Sequence, residues 1–332
     1  MVFHAKSTLD FDIIEIDEGR RAHLVERLGK GTLSTVYRAV LESQHGVCRE
    51  VALKLFHAIA SDEADHVALR LGEAASRAAC VRHPNVASVY EMGFAEAQPF
   101  FLEELVQGTT LATLMERYAA RDRRMPTDVA LFIATEMAEA LNGARMAVDH
   151  DGVQLGILHL GLTAREVLLS WRGEVKVADF EVSIARGATS SVRSLRAVAA
   201  RAATMAPEVA QGNGGDARSD VFALGVLVRE LFVGPRFPKT LSNHDTIRLA
   251  REGWLQPTAI PPTLGKGLEV VIDRALQVDP EDRYPNASAM AFELRRVALA
   301  MGVGDGRWFL RRALDREFGS DSGTEEVTKE RG

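Results

Sequence analysis

Cysteine is nearly absent from this chain: Cys48 and Cys80 stand alone among 332 residues. That supply excludes a disulfide-dense secreted scaffold, and their separation excludes a paired-cysteine metal site. Both are read as packing residues of a reduced, cytosolic protein. Long apolar runs are lacking too. The best candidate, residues 221–228, is cut off at Arg229 and Glu230 and falls short of the ~20 residues a membrane-spanning helix needs. The opening MVFHAKSTLDFD lacks the charged-then-apolar layout of an export signal, so a cytoplasmic location is expected, with no membrane partner. Nor is positive charge in excess. With 40 basic against 46 acidic residues the net charge is -6, which argues against a nucleic-acid partner.

What is present is an ordinary soluble composition, 46% hydrophobic and 26% charged, on a chain long enough for two lobes. Residues 1–22 read as a lead-in, in which Phe11, Ile13, Ile14 and Ile16 suit a short extra strand. From 23 to 106 the pattern is strands plus one helix. HLVERLGKG, STVYRAVLE, REVALKLF, VASVYEMGF and PFFLEELV carry β-branched and apolar residues between Gly, Pro and polar breaks. Residues 62–81 have helical apolar spacing and are expected to end before His83-Pro84.

From 107 to 300 the character is helical. Residues 127–146 place Val129, Phe132, Ile133, Met137, Leu141 and Ala144 on one stripe behind Pro126. Further helices are expected over 221–233, 268–276 and 287–300. Within 301–318 Trp308, Phe309, Leu310, Leu314 and Phe318 oppose Arg311, Arg312 and Arg316, which suits an amphipathic helix packed on the larger lobe. Residues 319–332 hold one apolar residue and are expected to be disordered.

Several short motifs fall in a fixed order. Gly29, Gly31, Ser34 and Val36 fit G-x-G-x-x-G-x-V with serine in the third glycine position, and Val51-Ala52-Leu53-Lys54 fits V-A-I-K. A glycine pair alone would suit a simple β-turn, and a single lysine a solvated surface. Next come Glu73 in the predicted helix, His83-Pro84-Asn85, and PFFLEELVQG over 99–108. Then follow His159 with its neighbours, Asp179-Phe180-Glu181, Met205-Ala206-Pro207-Glu208, Ser219-Asp220 and Asp282-Arg283.

In that order, over residues 23–300, they resemble the protein kinase family. The insert VDHDGVQLGILH is similar to bacterial Ser/Thr kinases. The resemblance implies an α+β, bilobal kinase-like fold: a small β-rich N-lobe with one helix, and a larger, mainly helical C-lobe. It implies ATP and Mg2+ as candidate cofactors. Gly29, Gly31 and Ser34 would meet phosphate, with Lys54 paired to Glu73, although the Glu73-to-His83 gap is one residue longer than usual. Val36, Ala52 and Leu168 would sandwich an adenine, with backbone at Glu104 and Val106 as its hydrogen-bonding edge. Asp179 would hold the metal. Glu103 falls behind the adenine, where a charge must face solvent or find a partner such as Lys54.

The pattern H-R-D-L-x-x-x-N falls on residues 159–166, and there the resemblance breaks. His159, a packing residue, remains. Leu160 replaces the arginine that reads a loop phosphate, and Gly161 the aspartate that accepts the substrate's proton. Glu166 replaces a metal-holding asparagine; a carboxylate can still ligate Mg2+. Glu181 replaces the glycine after Phe180, and Ala200-Arg201 a glycine-threonine pair. Ser183, Thr189, Ser190, Ser191 and Ser194 among Arg186, Arg193, Arg196 and Arg201 suit a phosphorylation target or a plain basic loop.

Retained are residues with structural, phosphate-binding and metal-binding roles; lost are those that act on the phosphoacceptor. The sequence-level expectation is a pseudokinase: a kinase-fold signalling or scaffold protein that keeps the groups for ATP and lacks the base for phosphotransfer. Its implied partners are other signalling proteins, among them an active kinase or its substrate. A weakly active ATP-dependent Ser/Thr kinase and a nucleotide-free interaction module stay open beside it.

Overall fold

Paired runs of alternating apolar and polar residues build the N-terminal half of the molecule. The computed structural model describes residues 13–17, 19–31, 33–57, 64–96, 98–180, 199, 201–238, 240–257, 261 and 264–319. Strand β1 (Ile13–Asp17) turns at Gly19, φ +89°, into β2 (Arg20–Lys30) and pairs with it antiparallel. β3 (Ser34–Glu42) and β4 (Cys48–Phe56) follow, then helix α1 (Ala64–Ala78), β5 (Val89–Ala95) and β6 (Gln98–Glu103). Among the described residues these strands form one sheet in the order β1-β2-β3-β4-β6-β5. Its two edges approach one another, because the Arg20 guanidinium donates to both carboxylate oxygens of Glu91 on β5 at 2.8 Å and to Asp17 on β1. Leu71, Ala74 and Ala75 of α1 pack on Phe56 and Phe101 of the sheet.

The second lobe opens with β7 (Gly108–Thr110) and α2 (Leu111–Ala120), whose first turn is capped by the Thr110 hydroxyl accepting from the Thr113 amide at 3.1 Å. The apolar stripe on α3 (Thr127–Met146) is the centre of the large core. β8 (Val167–Ser170) and β9 (Val175–Val177) join β7 in a second small sheet. After them come α4 (Pro207–Gln211), α5 (Ala217–Val233), α6 (Asn243–Arg251), α7 (Gly265–Ala275), α8 (Ala287–Ala300) and α9 (Gly306–Phe318). α9 packs against α2 and α3. There the buried Glu317 carboxylate accepts from Arg123 at 3.0 Å and pairs with Arg121, and Arg117 lies over the Phe318 ring at 4.0 Å. Among the described residues no helix is long and apolar enough to cross a membrane.

The bilobal α+β architecture expected from the motifs is therefore the observed one, with differences at the edges of elements. The lead-in boundary at residue 22 falls inside β2, since β1 and Arg20 already belong to the sheet. Ile14 is buried there and Ile16 partly so, while Phe11 lies outside the described residues. Helix α1 stops at Ala78 rather than 81, because Cys80 and Val81 donate to Arg77 and Ala78 three residues back and close the turn before His83-Pro84. The PFFLEELV strand stops at Glu103, since residues 104–107 leave the sheet to link the lobes. Helices α2 and α6 had no sequence-level prediction. Glu181, the Ser/Thr positions 183–194 and residues 320–332 lie outside the described residues.

The first turn of α5 holds the second lobe together. Asp216 caps it, and Ser219 completes a capping box with the Asp216 backbone. The Ser219 hydroxyl donates to Glu208 at 2.7 Å, and Arg283, buried, forks onto the two Glu208 oxygens at 2.8 and 2.9 Å. The neighbouring Asp220 carboxylate accepts the amides of His159 and Leu160 at 2.8 and 2.7 Å. Burial alone would raise the Glu208 carboxyl, yet hydrogen bonds from Arg283 and Ser219 outweigh it and hold the group below its ordinary 4.5.

A carboxyl depressed in the folded state contributes stability that is complete above about pH 4.5 and lost as pH falls below it. Glu208→Gln is therefore expected to flatten the acid limb of the urea midpoint against pH, and Arg283→Met, which strands a buried charge, to cost about 3–5 kcal/mol in urea unfolding. Asp220→Ala is expected to cost about 1–3 kcal/mol for each amide it orphans, measured in the same way.

Candidate functional site

Strand register brings the N-lobe residues of interest to one face. Gly29 pairs with Val36, Val36 with Lys54, and Lys54 with Phe101, while Ala52 pairs with Glu103. Directly opposed residues point to the same side and alternate residues along a strand share a face, so Val36, Ala52, Lys54 and Glu103 line one surface. At the turn between β2 and β3 the Gly31 amide donates to the Ser34 carbonyl at 2.8 Å. Among the described residues a Cβ on Gly29 would meet nothing within 4 Å and one on Gly31 only the Ser34 carbonyl at 3.5 Å, and neither glycine has a left-handed φ. No internal contact demands glycine at these two places. Their bare backbone instead admits close approach from outside, which is what a phosphate requires.

Lys54 is 2% exposed, and a buried ammonium must be matched by charge. Its Nζ lies 2.5 Å from Asp179 Oδ1 and 3.3 Å from Glu103 Oε1. Glu103 has thus found the partner that its position demanded. The expected pairing of Lys54 with Glu73 is not what the structure shows. Glu73 sits on the outer face of α1, its side chain 55% exposed and 3.8 Å from Arg70. The residue that α1 turns toward the sheet is the next one, Ala74, which is fully buried. The one-residue excess in the Glu73-to-His83 spacing is the signal of that shift.

At the lobe junction Glu104 donates its amide to the Ser88 carbonyl at 2.8 Å. Its carboxylate accepts from the Ser88 amide at 3.2 Å and pairs with Lys176 at 2.9 Å. That clamp fixes the strand leading to Val106. Leu168, partly buried, faces Lys176 across β8 and β9, below the same junction. Lys176 and Ser88 were not singled out from the sequence, because their partner is remote in the chain.

The loop at 159–166 is held in an unusual backbone conformation. Leu160 and Asp179 have φ of +51° and +69°, which side-chain-bearing residues rarely adopt, and Gly161 has +151°. Asp220 secures the strained stretch through the His159 and Leu160 amides. His159 is buried, reaches the Ala178 carbonyl at 3.1 Å and meets the Phe180 ring edge-on at 4.9 Å. Leu160 packs where Gly215 leaves room: a Cβ on that glycine would meet Leu160 Cδ2 at 2.7 Å. Glu166 is turned back on its own loop, its Oε2 accepting the Thr163 amide at 2.8 Å and the Thr163 hydroxyl. Thr163-Ala164-Arg165-Glu166 is a T-x-x-E stretch, so the spacing of a capping box already carried that contact.

Beyond the loop, the segment ending at Met205 is supported by Arg236, another residue without a sequence signal. Fully buried, it donates to the carbonyls of Met205 at 2.9 Å and Trp254 at 3.0 Å, and burial lowers its pKa to about 10. Burial also raises Glu230 on α5, whose carboxylate accepts the Arg236 amide, to about 7.

An open glycine turn, a buried lysine beside an aspartate, and a small-residue surface at Val36 and Ala52 meet what a nucleoside polyphosphate asks. Asp179, 30% exposed, would hold the metal that the family uses, and Glu166, the other candidate carboxylate, accepts from Thr163. At Gly161 there is no side chain at all.

Comparison with known proteins agrees with this architecture. The profile described as protein tyrosine and serine/threonine kinase matches residues 22–294. The chain is 30% identical over 304 residues to the tyrosine-protein kinase MasK of Myxococcus xanthus, covering 91% of this chain and 47% of that one. It is 32% identical over 283 residues to the serine/threonine-protein kinase PknB of Mycobacterium leprae, covering 83% and 43%. It thus spans about half the length of these curated relatives or somewhat less. Among solved structures, the PknI kinase domain of M. tuberculosis superposes with a TM-score of 0.61 at 25% identity, covering 83% of this chain and 95% of that one. On the match of its motifs, its two lobes and nearly its whole described length, the chain belongs to the protein tyrosine and serine/threonine kinase family.

Proposed function

We propose that this chain is a pseudokinase: a kinase-fold signalling protein that binds ATP and does not transfer its phosphate to protein. One observation carries the reading. The loop at 159–166 keeps its backbone anchored to Asp220 while the position of the proton acceptor is Gly161. A positioned base contributes about 10²–10⁴-fold to such a transfer. Among the described residues the carboxylates beside the loop are already engaged, Asp179 by Lys54, Glu166 by Thr163 and Asp220 by the His159 and Leu160 amides.

The binding half of the site supports the other part of the reading. Gly29 and Gly31 admit phosphate, Lys54 and Asp179 balance its charge with a divalent cation, and Val36, Ala52 and Leu168 flank a base set against Glu104 and Val106. Mg2+-ATP, when bound, supplies a polyphosphate whose charge these groups share. Because phosphoryl transfer depends on positioning and electrostatics, loss of the base removes the reaction and leaves binding. Its partners are signalling proteins, an active kinase or its substrate among them, and its place of action is the cytoplasm.

Saturating ATP with Mg2+ is expected to raise Tm by roughly 2–5 °C, with the rise abolished in Lys54→Met and reduced without the metal. No shift would favour a nucleotide-free module. Radiolabel transfer to the protein itself or to a generic substrate is expected to match the Lys54→Met background. Transfer above that background would favour the weakly active kinase. Gly161→Asp with Glu166→Asn and Glu181→Gly is expected to raise transfer above wild type.

A further inference from the structure

Lys54 and Glu103 belong to hydrogen-bonded neighbours in one sheet, β4 and β6. Lys54 stands opposite Phe101, and Glu103 is two residues further along on the same face, which makes the two a diagonal cross-strand pair within reach of long side chains. Both side chains are nearly buried, at 3% and 11% exposed. The geometry points to Glu103 as a positioning residue that aligns the Lys54 ammonium from within the sheet, in place of a carboxylate at Glu73 on α1. The proposal rests, for its effect on affinity, on the nucleotide-binding reading above.

Two features of the structure carry it. The first is what the described side chains of α1 offer to that face: Leu71, Ala74 and Ala75, with Glu73 turned outward to Arg70. A carboxylate on a helix moves with the helix, and the alanine here supplies no charge. The second is the rigidity of the alternative. The registers Ala52–Glu103 and Lys54–Phe101 fix the two backbones relative to one another by the sheet's own hydrogen bonds. A carboxylate on β6 therefore keeps its distance to Lys54 whatever α1 does. Glu103 shares the buried ammonium with Asp179, so a turn of Asp179 toward a cation leaves Lys54 with a carboxylate on the sheet.

The test compares Glu103→Gln, Glu103→Asp and Glu73→Gln, alone and combined with Lys54→Met. Urea unfolding of the ligand-free full chain reads the pairing in double-mutant cycles, and a fluorescent ATP analogue with Mg2+ reads affinity. The 54/103 cycle is expected to show coupling of at least about threefold in the unfolding equilibrium and the 54/73 cycle none. Glu103→Gln is expected to weaken nucleotide binding about tenfold, Glu103→Asp less, and Glu73→Gln by less than twofold. An uncoupled 54/103 pair, or Glu73→Gln as damaging to affinity as Glu103→Gln, overturns the proposal. If wild type binds no nucleotide, the functional reading fails, and the ligand-free cycles still decide the pair.

Discussion

The grip of the Asp220 carboxylate on two consecutive amides, those of His159 and Leu160, is the contact on which the rest of the C-lobe is arranged. It costs the burial of a charge, and the return is a loop held in left-handed backbone at Leu160. The same helical turn carries Ser219, which reaches Glu208 and through it the buried Arg283. One turn of α5 therefore fixes both the loop under the pocket and the short helix α4 after the activation segment. None of these bonds involves a residue that would act on a phosphoacceptor. Architecture here is carried by residues other than those at the phosphoacceptor positions.

Charge follows the same logic at the pocket. A kinase-like site needs a lysine held by carboxylates, and this chain supplies them at Glu103 and Asp179 while α1 presents alanine. The carboxylate at Glu166 is drawn into a local turn with Thr163, where its negative charge is stabilised by hydrogen bonds from the Thr163 amide and hydroxyl. Leu160 likewise finds an apolar niche against Gly215 in place of a phosphate-reading contact. Among the described departures from the family pattern, Leu160 and Glu166 thus each have a packing or hydrogen-bonding partner of their own. The loop is internally consistent as it stands.

Much of the fold was legible because kinase motifs bind residue type to local backbone. The proline turn after α1 and the Ser219-Asp220 helix start each fix a local geometry, the glycine pair and the strand lysine mark the first strands, and their order gives the lobes. Local contacts such as Thr163 with Glu166 were written in the spacing and could have been read as a turn. The pairing of Lys54 with Glu73 failed by one residue, a rotation of about 100° on a helix, which is the difference between facing the sheet and facing solvent. The clamp of Lys176 on Glu104 and the support of Met205 by Arg236 join segments far apart in the chain, so no spacing announces them.

By itself the sequence determined the family, the two-lobed order of elements and the absence of a carboxylate at Gly161, because each depends on residue identity at a fixed local spacing. Only the tertiary structure decided where the charges that remain go. Sheet register brings Glu103 diagonally to Lys54, helix phase turns Glu73 away, and the chain's return through β9 places Asp179 against the same ammonium. Those outcomes depend on how elements pack on one another, and a buried charge takes whichever partner that packing puts within a few ångströms.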